Sequence, residues 1–121
     1  MIRAVVVDDH TRLRQLVRRL LEHSGEIEVV GEASDREQAL VQVIRLKPDV
    51  LLLDIHMPRL DGLGVLKALE QMLEHPKGVV LTLDGRNGVK ERILAAGASA
   101  LVPKRILFEE LLPAIRAVMQ R

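Results

Sequence analysis

The sequence has no cysteine, no tryptophan and no tyrosine, and Phe108 is its single aromatic residue. Without cysteine there are no disulfides, thiolate metal sites, iron–sulfur clusters or cysteine nucleophiles. Without aromatic platforms a protein cannot stack unpaired bases or cage a quaternary ammonium. An excess of one charge sign is missing too. Eighteen basic and seventeen acidic residues leave a net charge of +1, whereas non-specific binders of nucleic acid or membrane surfaces show a clear basic excess. Long apolar runs are also absent. The longest, residues 50–53, is far too short to span a bilayer. The first apolar run ends in Asp8 and Asp9 rather than in a small-residue cleavage site. These absences predict a cytoplasmic protein without direct nucleic-acid or membrane binding.

What is present is aliphatic. Hydrophobic residues make up 48% of 121 residues, enough for one core and too few residues for two ordinary domains. Short β-branched or Leu-rich runs at 2–7, 27–33, 49–53, 78–82 and 100–102 read as strands. Between them apolar residues step by three and four. Leu13, Leu16, Val17, Leu20 and Leu21 form one such stripe, and Ala39, Leu40, Val43 and Ile44 a second. Val65, Leu66, Leu69, Met72 and Leu73 form a third, and Phe108, Leu111, Leu112, Ile115, Val118 and Met119 the last. A weaker stripe between 86 and 96 offers Val89, Ile93 and Leu94 as inward residues. Ser34 and Asp35 suit the N-terminus of the second helix, and Pro48 ends it.

Strand–helix alternation, with strands that are apolar without a break, predicts a parallel sheet covered on both faces. The expected class is α/β, a three-layer doubly wound sheet of five strands. Its functional crevice should lie at the carboxyl ends of the strands. There the sequence places Asp8, Asp9 and His10 after the first strand and Asp54, Ile55 and His56 after the third. Thr82 ends the fourth, and Pro103 and Lys104 follow the fifth. A lone aspartate after a strand is commonly a turn or cap residue. Here separate strands deliver carboxylates, a hydroxyl and an ammonium to one edge. Clustered carboxylates repel unless something positive binds, and all-oxygen donors suit a hard ion such as Mg²⁺. A carboxylate beside such an ion, a lysine and a hydroxyl is suited to accept a phosphoryl group, chemistry that consists mainly of positioning and charge neutralisation.

These residues resemble the receiver domain of two-component response regulators. The resemblance is carried by VVVDDH at 5–10, DIHMPRLDG at 54–62, Thr82, AAGASALVPK at 95–104 and the final amphipathic helix, and it covers the whole chain. VVGEAS at 29–34 looks most like the subfamily with helix-turn-helix output domains. The resemblance implies a flavodoxin-like sheet of order 2-1-3-4-5. It implies Asp54 as acceptor of a phosphoryl group from a phosphohistidine on a histidine kinase or phosphotransfer protein. It implies Mg²⁺ (or Mn²⁺) held by Asp9, Asp54 and the backbone carbonyl of His56, with Asp8 acting through a metal-bound water. Thr82 would bond the phosphoryl group and Lys104 would pair with it. The chain would be a phospho-acceptor rather than a turnover enzyme, changing the surface it shows to a partner or to a DNA-binding output domain absent from residues 1–121. Homodimerisation is left open.

Three positions depart from the family pattern. Leu101 stands where the family has a switch aromatic, Leu83 where it has a small residue, and Pro103-Lys104-Arg105 replaces Lys-Pro. Leu101 reads best as a core residue giving a smaller switch. Leu83 would restrict access, Asp84 would repel an anionic donor or tune hydrolysis, and the changed proline would give the Lys104 loop another path. These departures support an alternative, a receiver that phosphorylates weakly and acts as a protein-binding module. An enzyme on a similar sheet fits less well: Asp-x-Asp after the first strand, a P-loop and a dinucleotide glycine motif are all missing.

Overall fold

A computed structural model describes residues 1–55, 62–83 and 87–120. They form β1 (Ile2–Val7), α1 (Thr11–His23), β2 (Ile27–Ala33), α2 (Arg36–Leu46), β3 (Val50–Asp54), α3 (Gly62–Glu70), β4 (Lys77–Thr82), α4 (Asn87–Ala95), β5 (Ala100–Pro103) and α5 (Leu107–Met119). A 3-10 turn at Lys104–Ile106 joins the last two. The strands are parallel, in the order β2-β1-β3-β4-β5. The expected class and strand order are those of the structure, with β3 displaced by one residue so that Asp54 closes the strand opposite Leu81.

Unbroken apolar strands follow from two cores. Odd and even residues of a strand point to opposite faces, and both faces are covered here. Ala4, Val6, Val50, Leu52, Val79 and Leu81 meet Val17 and Leu21 of α1 and Leu111, Ile115 and Val118 of α5. Val5, Val7, Leu51, Leu53 and Val80 meet Ala39 and Val43 of α2, Val65, Leu66 and Leu69 of α3, and Ile93 of α4. The sheet therefore separates α1 and α5 from α2, α3 and α4.

Local signals fix the ends. Asp35 caps α2 by accepting the Gln38 N–H at 2.8 Å, and the Gln38 side chain accepts the Ser34 N–H at 2.9 Å. Before Pro48, Lys47 turns left-handed at φ 49°, and Arg3 donates to the carbonyls of Leu46 and Lys47. Between β1 and β2 the register slips by one residue after Ala4, leaving Val30 as the extra residue of a bulge. At Gly31, just beyond, a Cβ would lie 2.8 Å from a Leu46 methyl, so the glycine lets α2 approach the edge strand.

Strand order sets the site. The chain leaves β1 for β2 on one side and later fills β3, β4 and β5 on the other, so the crevice of the switch point opens above β1 and β3. Asp8 and Asp54 stand there. Two substitutions separate core from cap. Leu52→Ala, at a fully buried position in β3, is expected to cost about 2–5 kcal/mol. Asp35→Ala should cost about 1 kcal/mol. Urea denaturation midpoints of the two variants check both values.

Candidate functional site

Among the described residues three polar or charged side chains are buried: Asp8, Asp54 and Thr82, at 2%, 3% and 0% exposure. Each ends or directly follows a strand, at the carboxyl edge of the sheet. A buried carboxylate needs a charged partner or a set of hydrogen bonds. Asp54 has Lys104, whose Nζ donates to Asp54 Oδ2. Pro103 and Arg105, expected to give the loop another path, leave Lys104 within reach of Asp54. Pro103 stays in the strand, opposite Thr82, and Lys104 opens the 3-10 turn directly beyond it. The lysine still spans from β5 across β4 to β3, because the extended Pro103 (φ −65°, ψ 133°) delivers it to the right level of the sheet.

Asp8 is fixed differently. Its N–H donates to the Ala33 carbonyl at 3.0 Å and its Oδ1 accepts the His10 N–H at 2.8 Å. Its Oδ2 is buried without a protein partner. Burial lifts the Asp8 carboxyl from its ordinary 3.8 to about 6. The His10 N–H opposes that rise, the charge of Asp54 adds to it, Lys104 opposes it and Asp9 adds to it. A partnerless buried oxygen on an acid whose charge its neighbours disfavour is a place for a cation. The donors are oxygens throughout, which fits a hard divalent ion and excludes a thiolate-type metal. Among the described residues no three Asp, Glu or His side chains close into a cage. Mg²⁺ does not need one, since it keeps several waters and takes one or two carboxylates.

Asp9 follows Asp8 at the mouth and is half-buried. His10 serves locally: it is the N-cap of α1, and its ring accepts the Leu13 N–H. His56, Asp61 and Asp84 lie outside the described residues. Leu83 stands beside Thr82 at 73% exposure, so it projects into solvent at the mouth rather than packing down. Leu101 is partly buried against the cluster of α2, α3 and α4, the core role expected of it. Gly62 needs its missing side chain: a Cβ there would come within 2.9 Å of Ile55 Cγ1 and 3.2 Å of Ile55 Cα. Gly62 thus serves packing beneath the site.

Arg12, Arg14, Arg18 and Arg19 line much of the first helix in the sequence, a pattern that reads as a solvated face or else as a docking face for an acidic partner helix, but the structure turns Arg14 inward. Its Nη1 donates to the Asp8 carbonyl at 2.8 Å, and its Nε pairs with Glu32 of β2 at 2.9 Å. No spacing rule announces a side chain that binds a backbone oxygen.

Known proteins share this fold. The profile of the response regulator receiver domain matches residues 4–116. The chain belongs to this family of receiver domains of two-component systems. Response regulator GacA of Pseudomonas viridiflava is 39% identical over 121 residues, 98% of this chain and 55% of that protein. A protein-glutamate methylesterase/protein-glutamine glutaminase of Myxococcus xanthus is 45% identical over 104 residues, 85% of this chain and 30% of that protein. The receiver therefore spans about half or less of these relatives. The signal receiver domain of NarL from Mycobacterium tuberculosis superposes with a TM-score of 0.91 at 32% identity, covering 99% of this chain and 98% of that one. A LuxR-family DNA-binding response regulator from Staphylococcus aureus gives 0.88 at 27% identity, with 98% of each chain covered.

The raised Asp8 carboxyl has a thermodynamic consequence. The folded state holds the proton more tightly than the unfolded chain, so the charged form opposes folding above about pH 6, and the penalty fades as pH falls towards 4. In metal-free buffer at pH 7.5, Asp8→Asn should be more stable than the wild type by about 1–3 kcal/mol. That gap should close by about pH 4, and saturating Mg²⁺ should narrow it by binding the wild-type folded state. Paired thermal melts across this pH range check it.

Proposed function

We propose that this receiver accepts a phosphoryl group on Asp54 from a phosphohistidine of a histidine kinase or phosphotransfer protein, in a Mg²⁺-dependent step. The observation that supports this reading most is the pairing of Asp54 with Lys104 beside the partnerless Asp8 Oδ2. Lys104 holds Oδ2 of Asp54 and offsets its charge, and a carboxylate oxygen of Asp54 is the nucleophile. That oxygen forms a bond to phosphorus while the phosphorus–nitrogen bond to the donor imidazole breaks, and the imidazole leaves with the electron pair. Asp8, Asp9 and Asp54 would hold the divalent ion, which when bound supplies charge neutralisation to the phosphoryl oxygens. Thr82, fully buried at the end of β4, is the hydroxyl in reach of the new group. Lys104 follows the charge, exchanging its carboxylate for a phosphoryl oxygen.

The chain acts as an acceptor and not as a turnover enzyme in this reading. Its partners are the phosphate donor and an output element. The relatives carry different names, a protein-glutamate methylesterase/protein-glutamine glutaminase in one case and a DNA-binding response regulator in another, so the family alone does not select the output. The LuxR-family likeness favours DNA-binding output. No described helix is long and apolar enough to cross a membrane, which accords with a cytoplasmic site of action.

Incubation with phosphoramidate and Mg²⁺, followed by intact-mass spectrometry, should show a single phosphoryl adduct. Asp54→Asn and chelation of the metal should each abolish it. Lys104→Ala should slow its formation on the order of 10²–10³-fold, the usual cost of losing one charge-stabilising donor. An adduct of undiminished yield on Asp54→Asn overturns the assignment.

A further inference from the structure

A chain of charges on α1 and β2 reaches into the site from behind. Arg14 follows His10 by one helical turn, its N–H bonded to the His10 carbonyl. Its side chain is four-fifths buried and its guanidinium makes two separate contacts. Nη1 donates to the Asp8 carbonyl at 2.8 Å, and Nε donates to Glu32 Oε1 at 2.9 Å. The second oxygen of Glu32 accepts Arg18 Nη1 at 2.7 Å, and Arg18 Nε reaches Glu22 at 3.1 Å. Glu32 itself stands in register with Val6 of β1, two residues before Asp8.

We propose that Arg14, held by Glu32, is a positioning residue for the acidic loop, fixing Asp8 and Asp9 in the orientation that binds the divalent ion. The inference rests on the receiver reading above. Asp8 is clamped at three points: its N–H by Ala33, its Oδ1 by the His10 N–H, and its carbonyl by Arg14. Of its polar atoms only Oδ2 stays without a partner. The carbonyl clamp matters beyond Asp8. A peptide unit is planar, so fixing the Asp8 oxygen fixes the direction in which the Asp9 Cα leaves. One guanidinium thereby sets both acids. Such fixing is needed because Asp8, Asp9 and Asp54 repel one another until a cation arrives. A loop free to turn would relax outwards and have to be reordered on binding. Glu32 supplies rigidity, since a guanidinium paired on one edge presents its other N–H groups in a fixed plane.

Arg18 offers the control, because it shares Glu32 with Arg14 and does not touch the loop. Arg14→Gln, Glu32→Gln and Arg18→Gln should be compared in the full chain. Mg²⁺ affinity would be read by calorimetry, and amide hydrogen exchange of Asp8 and His10 by NMR. Arg14→Gln should weaken Mg²⁺ binding about tenfold, the usual scale for losing a group that orients a ligand, and should speed exchange of the His10 amide. Glu32→Gln should give a smaller loss of the same sign. Arg18→Gln should leave the affinity unchanged, whatever it does to the melting temperature. If Arg14→Gln is unfolded, Glu32→Gln against Arg18→Gln decides. Equal Mg²⁺ affinity in Arg14→Gln and Arg18→Gln, or in Glu32→Gln and the wild type, reduces the network to a staple between α1 and β2 and overturns the proposal. Absence of Mg²⁺ binding by the wild type overturns the receiver-site reading along with it, an outcome distinct from wild-type binding that Arg14→Gln leaves intact.

Discussion

The structure turns on one electrostatic constraint: carboxylates brought together at the ends of parallel strands, where water is largely excluded. Asp54 is tolerated because Lys104 crosses the sheet to meet it. Asp8 is tolerated only in part, and its lifted carboxyl records the unpaid share. Around this the rest is organised. Two aliphatic cores hold the strands in register, the bulge at Val30 re-aims the edge strand, and His10 combines capping α1 with holding Asp8. The stability of the fold and the charge of the site oppose one another, as is common where function requires like charges in proximity.

Much of this was legible in the sequence, for physical reasons. Strands buried on both faces must be aliphatic throughout, so residues 4–7 and 50–53 announced themselves. A charged residue at the end of such a strand cannot belong to the core, and so Asp8, Asp54 and Lys104 stood out. Helical stripes were legible in position but not in width. Leu16, Ile44 and Phe108 fit the periodicity, yet they are 39%, 64% and 60% exposed. A sheet covers only part of a helix's circumference, and residues at the stripe's margin remain in water. Pro113 lies inside α5 without ending it, because burial of Leu111, Ile115 and Val118 outweighs one missing hydrogen bond. The bulge and the Arg14 contact left no trace in the pattern. Both depend on backbone atoms, which every residue carries alike.

The departures at Leu101, Leu83 and Arg105 resolve into separate consequences. Arg105 does not displace the lysine, since the strand rather than the proline determines where Lys104 emerges. Leu83 stands open to solvent at the mouth, a greasy rim around a charged crevice. Leu101 stands in register with Val80 and packs, partly buried, against the cluster shared by α2, α3 and α4. A leucine there has no ring whose swing could be seen from outside, so any change at Thr82 would have to be conveyed by backbone and packing.

The division of the core by the sheet carries a further consequence. The arginine-rich α1 and the helix α5 lie on one side, while α4 and Leu101 lie on the other. The surfaces of α1 and α4 are therefore separated by the thickness of the sheet. The molecule is a two-sided coin with its reactive edge on the rim. Both sides share a boundary at the strand ends, where Asp8, Asp54 and Thr82 are buried.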